Sequence, residues 1–528
     1  MRRAGEPRRI FTQQVPLWAV LLAAWAAVLA LHAPLLHLPY YWDEAGYYIP
    51  AAWDFFRSGT LIPTSTLSNA HPPLPSLWLA AVWKVFVFSP FVTRVSMCLI
   101  AAMGLTAIWR LAVVTTGKHS VAAAAVALTA LYPVWFAQSS LAHADLFAAA
   151  ATLWGIALLL EERISLCAVC FAVAALSKET AIITPVALAL FESWRPRPRT
   201  GRIRTVTALL APVLPLSGWY VYHWARTGYA LGNPQYVQYN ATATLTPVRV
   251  LLALGYRVLH VAAHMNMFVP VALMLACMLL PPAEETAGKL RQRISPAHQT
   301  VFYVVIVANL VLFSLVGGAL LTRYLLPLYP LVLLLAVNTF RRRMREWVAL
   351  VALSAAGFVV GLFVNPPYRF APEDNLEYVT VVRLHEAAIA QVTKHFPQGT
   401  VLTAWPVADE LTKPELGYVK QPMRVEEIDN FSVDAVRQAA EGPRSWSVAL
   451  AFSTKYDPPR LPFAFGRQGE AWDRRYFDFH HDLPPGLIAR VLGGAVVWGA
   501  ARKGEWVAVL RFERTPGPRQ ASLAGASR

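Results

Sequence analysis

The sequence predicts an α-helical polytopic membrane protein of about eleven transmembrane helices, followed by a small α/β domain outside the cytoplasm. Three observations lead there. Hydrophobic residues make up 56% of the 528 positions and charged residues only 15%, well off the balance of a soluble chain. Apolar runs long enough to cross a bilayer recur up to about residue 364. After that the pattern changes to mixed polar and apolar segments. This excludes a disordered chain, a collagen-like chain and an ordinary cytosolic enzyme.

The first run, about 15–38, follows the basic stretch Arg2, Arg3, Arg8, Arg9 and reads as an uncleaved first span. Further spans are expected near 95–115, 121–138, 145–161, 164–177, 181–193, 205–224, 250–280, 299–318, 324–339 and 346–364. The stretch from Leu74 to Phe88 is short, carries Lys84 and follows His71-Pro72-Pro73, so it reads as an interfacial helix in a first outer loop, 39–94. With the N-terminus in the cytoplasm, the cytoplasmic turns collect Arg110 and Lys118, Arg163, the Arg195–Arg204 cluster, Lys289, Arg291 and Arg293, and Arg341–Arg345. Counting Leu74–Phe88 as a span would put those later basic turns outside.

Residues 365–514 form the expected C-terminal periplasmic domain, with helices near 383–396 and 432–440 and strands at Val401–Trp405, Ser447–Phe452 and Trp506–Phe512. Residues 515–528 read as a disordered tail. The formal charge of +16 reflects basic residues between apolar spans, the positive-inside pattern rather than a nucleic-acid surface. Cys98, Cys167, Cys170 and Cys277 all lie in apolar stretches and predict helix packing without a disulfide framework.

In this topology the polar residues at the outer ends of the spans stand out: Asp43, Glu44, His71, Arg94, His143, Asp145, Lys178, Glu179 and Arg323. Charge inside a bilayer is costly, so such groups pair or function. Asp43 and Glu44 stand in Tyr40-Tyr41-Trp42-Asp43-Glu44-Ala45-Gly46-Tyr47-Tyr48, a few residues past the first span and near the membrane surface. Its aromatics fit an interfacial belt, and Tyr47 and His71 are loop candidates for the acceptor side. Asp145 opens a span, where it can cap the helix or join Asp43 at a substrate. His71, His143, Asp145 and Glu44 are a candidate set for a divalent cation; H-x-D alone is a weak metal signal and no cofactor is assigned. Lys178 and Arg323 can clamp a phosphate, with Arg94 and Tyr324 beside them; the bland alternatives are snorkelling and a Lys178–Glu179 pair. A carboxylate that accepts a hydroxyl proton, with cations for a phosphate leaving group, fits sugar transfer from a lipid phosphate better than glycoside hydrolysis.

These residues carry a resemblance. The ordered set Asp43-Glu44, His71-Pro72-Pro73-Leu74, Arg94, Asp145, Lys178 and Arg323-Tyr324 with Pro327 resembles the C-type (GT-C) glycosyltransferases related to protein O-mannosyltransferases and lipid A aminoarabinose transferases. The resemblance implies a GT-C-like membrane domain over residues 1–364, a polyprenyl-phosphate sugar donor, a lipid, glycan or protein acceptor, and an inverting single displacement on the periplasmic side of a bacterial inner membrane. It implies Asp43 as base, Glu44 assisting the acceptor, Asp145 as a second carboxylate, and Lys178, Arg323 and Arg94 toward the donor phosphate. Ala70-His71 stand where the aminoarabinose transferases carry an acidic residue and a lysine, which is nearer the mannosyltransferase pattern. The alternatives are a lipid or polysaccharide transporter or flippase, which would place its charges near the midplane and often shows inverted repeats, and a polysaccharide ligase or polymerase. The reading expects Asp43, Asp145, Lys178 and Arg323 to meet in one pocket.

Overall fold

A computed structural model describes residues 15–196, 198–286, 288–458 and 466–512. The basic N-terminal stretch and the expected disordered tail lie outside the described residues. Two compact units divide the chain: one of residues 1–38, 47–366 and 373–376, the other of residues 39–46, 367–372 and 377–528.

The first unit is mainly helical, with a short antiparallel pair of strands, Glu284–Thr286 and Lys289–Leu290. Among the described residues, five of its helical segments, Leu17–Leu35, Pro90–Thr116, Arg199–Thr227, Pro247–Asn266 and Pro296–Leu315, are long and apolar enough to cross a membrane, and shorter apolar helices accompany them. Local chemistry sets the ends. Pro90–Thr116 begins behind Ser89, whose side chain accepts from the Val92 amide, has Pro90 in its first turn, and stops at Gly117 with φ of 65°. Ser295 caps Pro296–Leu315 in the same way, through the His298 amide. The helix Leu74–Val85 has 12 residues, about 18 Å, too short to span about 30 Å of hydrocarbon.

Three expected single spans are interrupted. The 250–280 run is two helices, Pro247–Ala262 and Phe268–Met278, because Met265 and Asn266 take left-handed backbone between them. The 121–138 run breaks before Pro133, which cannot continue the helix His119–Leu131. The 205–224 run is Arg199–Leu210 and Val213–Thr227, with Pro212 at the break. All four cysteines are free, and Cys98, Cys167 and Cys277 are buried.

The second unit is α/β. Among the described residues its strands are β1 (Thr400–Ala404), β2 (Arg424–Ile428), β3 (Val448–Phe452), β4 (Ala495–Arg502) and β5 (Glu505–Arg511). They lie in the order β2-β1-β3-β5-β4. Strand β1 runs parallel to β2 and β3, while β5 is antiparallel to β3 and β4. Strand β3 reads Val-Ala-Leu-Ala-Phe and is buried throughout, as a central strand requires. The helix Glu377–His395 buries Leu384, Ala388, Ile389 and Val392, a stripe at helical spacing, in the core formed with the sheet. The expected strands and helices of this domain are all present; β2 and β4 were not anticipated.

One buried carboxylate gives this unit a pH response. Glu505 is 2% exposed and accepts from Ser453 Oγ at 2.5 Å. Burial, together with the nearby Glu377 charge, outweighs that hydrogen bond and raises its pKa from 4.5 to about 7. The folded state therefore holds a proton that the unfolded chain releases above pH 4.5. The stabilising contribution is full below that pH and is lost as pH rises through 7, a difference of about 3 kcal/mol. Thermal unfolding of the detergent-solubilised protein is expected to show this loss between pH 5 and pH 8, and Glu505→Gln is expected to flatten it.

Candidate functional site

Two helical hairpins build the charged centre of the first unit. The helices Ala144–Leu160 and Ile164–Ser177 are joined by only three residues, so the start of the first and the end of the second lie at the same end. Asp145 stands in the first turn of one, where the helix dipole favours a carboxylate, and Lys178 caps the other. Lys178 Nζ reaches Asp145 Oδ1 at 2.5 Å. The helices Tyr329–Arg343 and Trp347–Phe363 make the second hairpin. It brings the turn Thr322–Leu325 before it next to the turn Pro372–Asp374 after it. Arg323 Nη1 donates to Glu373 Oε1 across these ends.

Asp145 links the two hairpins. Its Oδ2 accepts from Arg323 Nε at 3.2 Å while Oδ1 holds Lys178. The four side chains are buried, which is tolerable only because the ion pairs and hydrogen bonds replace water. Lys178 pairs with Asp145 rather than with its neighbour Glu179. Its extended backbone, φ −151° and ψ 125°, turns the chain between the two, and Glu179 Oε2 instead accepts from His71 Nδ1 at 2.8 Å.

Tyr324 gathers positive charge around its ring. Lys178 Nζ lies 4.0 Å from the ring centroid, Arg257 Cζ 5.6 Å and Arg323 Cζ 5.8 Å. Arg257 is fully buried and donates to the carbonyls of Phe313 and Leu321, but its Nη2 has no hydrogen-bond partner among the described residues. Arg249, two turns earlier on the same helix, donates to the carbonyls of Ser314, Gly317 and Gly318. Asp374 accepts from Thr322 Oγ1 and lies 3.0 Å from His264 Nε2. A small cleft opens onto this centre, lined by Asp145, Lys178, Thr152, Thr184, Asn309 and Tyr324.

The other expected site residues are placed as follows. His71 stacks on Tyr48 and faces the Tyr236 hydroxyl; with Tyr47, Asn69 and Trp219 it lines a second cleft. Arg94 is fully buried and donates to the carbonyls of Leu38 and Ser140, so part of its hydrogen bonding ties chain ends together. Asp43 and Glu44 fall in the second unit. Glu44 is buried and accepts from the Tyr41 amide at 2.9 Å, whereas Asp43 is half-buried. The candidate cation set is not gathered: His143 Nδ1 is held by Gln138 at 2.7 Å, His71 by Glu179 and Asp145 by its two cations. No group of three or more His, Cys, Asp or Glu is arranged for a metal ion among the described residues.

Sequence reasoning missed Arg257, Glu373 and Asp374. The signal for Arg257 was a charge inside an apolar run, which membrane energetics marks as paired or functional. The acidic pair was assigned to the C-terminal domain because it follows the last apolar run.

Residues 70–224 match the family model described as dolichyl-phosphate-mannose-protein mannosyltransferase. Among solved structures the chain is similar to ArnT from Cupriavidus metallidurans bound to undecaprenyl phosphate, at 15% identity and a TM-score of 0.50, over 97% of this chain and 98% of that one. It is also similar to the apo oligosaccharyltransferase of Archaeoglobus fulgidus, at 10% identity and a TM-score of 0.49, over 84% of this chain and 70% of that one. No curated protein sequence matches. The chain is thus a multi-pass membrane protein whose fold is similar to that of the ArnT structure.

Proposed function

We propose that this protein is a membrane glycosyltransferase that moves a sugar from a polyprenyl-phosphate carrier to a hydroxyl of a lipid, glycan or protein acceptor, on the periplasmic face of a bacterial inner membrane. The observation that carries the proposal is the ring of three buried cations, Lys178, Arg257 and Arg323, around Tyr324. Lys178 lines the cleft and Arg323 and Arg257 stand behind it around Tyr324; such buried cations suit a dianionic or monoanionic phosphate, and among the described residues one Arg257 nitrogen is left to donate. The likeness to a structure holding undecaprenyl phosphate supports the same carrier class.

In the proposed step Asp43 accepts the proton of the acceptor hydroxyl. The acceptor oxygen bonds to the anomeric carbon on the face opposite the carrier, with inversion. The bond from that carbon to the phosphate oxygen breaks and its electron pair stays on the phosphate. A phosphate leaves as an anion without a proton from an acid, so the site needs positive charge there rather than a second carboxylic acid. Lys178, Arg257 and Arg323 supply it. Asp145 has a supporting role: it fixes the directions of Lys178 and Arg323 by holding one on each oxygen.

The test is incubation of the purified protein with a panel of undecaprenyl-phosphate sugars and read-out of released carrier phosphate by mass spectrometry. Release that depends on an added acceptor is expected; absence of release with every sugar would reject the reaction. Arg257→Met is expected to weaken binding of undecaprenyl phosphate by about 10- to 100-fold, the worth of a charge-assisted hydrogen bond. Unchanged affinity would remove Arg257 from the clamp.

A further inference from the structure

The segment bearing Asp43 belongs with the C-terminal domain: residues 39–46 cluster with 377–528 although more than three hundred residues separate them in sequence. The contacts show how. Both main-chain groups of Tyr40 are held by one turn of the domain. Its amide donates to the Leu416 carbonyl at 3.2 Å, and its carbonyl accepts from the Tyr418 hydroxyl at 3.0 Å. Pro39 packs against Gly417, which takes φ of 95° between those two residues. The Tyr41 ring lies against Tyr378, with centroids 5.8 Å apart.

Trp405, just past the end of β1, meets residues on both sides of Asp43. The Trp42 ring meets the Trp405 ring edge to face at 5.1 Å. Gly46 lies so close that a Cβ there would sit 2.8 Å from the Trp405 ring, so only glycine fits without displacement. Between these holds, Trp42 has φ of 47°, a strained backbone for a bulky residue that persists only where the surroundings impose it. Glu44 closes the loop by accepting from the Tyr41 amide. Asp43 therefore sits where a short strained loop, residues 39–42, runs into the π-helical turn Glu44–Tyr48; Leu416–Tyr418 grip the entry of that loop, and Trp405 packs against both Trp42 and Gly46.

We infer that the C-terminal domain is a clamp that sets the direction of the Asp43 carboxylate, with Trp405 and Tyr418 as its positioning residues. The inference rests on the proposed role of Asp43 as base. It gives the domain a function in the reaction without a catalytic group of its own. A proton acceptor must lie within hydrogen-bond reach of the attacking hydroxyl, and a displacement of about 1 Å can cost on the order of 100-fold in rate. Holding the loop from both sides meets that demand.

Three variants of the full-length protein test it. Trp405→Ala removes the ring packed against Trp42 and Gly46, Trp405→Phe keeps an aromatic edge, and Tyr418→Phe deletes only the hydroxyl on the Tyr40 carbonyl. Expected for Trp405→Ala is a fall in kcat of about 10- to 100-fold, with undecaprenyl-phosphate affinity unchanged. Trp405→Phe should regain much of the rate, and Tyr418→Phe should lose less than Trp405→Ala. Hydrogen exchange of the amides in residues 40–46 should accelerate in Trp405→Ala and Tyr418→Phe. Unaltered exchange and rate in both would overturn the clamp. So would equal losses of carrier affinity and rate, the mark of a general structural defect. Asp43→Asn run in parallel separates the two readings: if it stays active, the base assignment fails, while the exchange data still decide whether the domain grips the loop.

Discussion

Asp43→Asn is expected to lower kcat by about 100- to 10,000-fold, the usual contribution of a positioned general base. The amide keeps the shape and the hydrogen-bonding reach of the carboxylate but cannot take a proton. Because the proposed phosphate ligands are Lys178, Arg257 and Arg323, binding of undecaprenyl phosphate should stay as in the parent protein. The measurement is paired: acceptor-dependent release of carrier phosphate, and carrier binding by titration. A fully active Asp43→Asn protein would move the base elsewhere. Glu44 is the nearest carboxylate in sequence, but it is buried and committed to the Tyr41 amide. Glu44→Gln should therefore act mainly through the shape of the loop.

Arg323→Met is expected to be the most destabilising single change in the membrane unit. It strips one partner from Asp145 Oδ2 and one from Glu373 Oε1, both buried. Breaking a buried ion pair by removing one side costs about 3–5 kcal/mol, because the remaining charge has lost both water and its partner. Thermal unfolding in detergent should show a clear drop, and transfer should be lost. Adding Glu373→Gln to Arg323→Met removes one stranded carboxylate and should recover part of the stability without restoring transfer. Recovery of both would make Arg323 a structural residue only. A stable Arg323→Met protein would mean that the network tolerates the loss by another pairing.

The two outcomes address different layers of the site. Asp43 tests the chemistry, since the substitution leaves the shape of the side chain nearly unchanged. Arg323 tests the scaffold and the clamp together, and the double variant separates them.

Much of the fold is legible from hydrophobicity alone. A helix in a bilayer must be apolar over about 20 residues, so the spans announce themselves. The change in pattern after residue 364 marks the α/β domain, and its buried strand β3 reads as an uninterrupted apolar run. Breaks inside spans were harder to read. Met265 and Asn266 interrupt an apolar run through backbone conformation, which hydropathy does not record.

Asp145, Lys178 and Arg323 were also legible, because a charge at the end of an apolar run is costly unless it is used. Their partners were not. That Asp145 holds Lys178 on one oxygen and Arg323 on the other depends on the rotation of each helix and on which hairpin ends meet. Arg257 was hidden for the opposite reason: the long apolar run around it drew the reading toward a plain span.

The sequence by itself therefore determined the membrane-spanning class, the α/β domain, and the identity of the principal charged residues, since burial and solvation act residue by residue along the chain. Only the tertiary structure decided which charges meet, that Arg257 joins Lys178 and Arg323 around Tyr324, and that the Asp43 loop is gripped by residues from 378 to 418. Those are contacts across tens to hundreds of residues. They are fixed by the packing of whole helices and of a sheet, which no local pattern encodes.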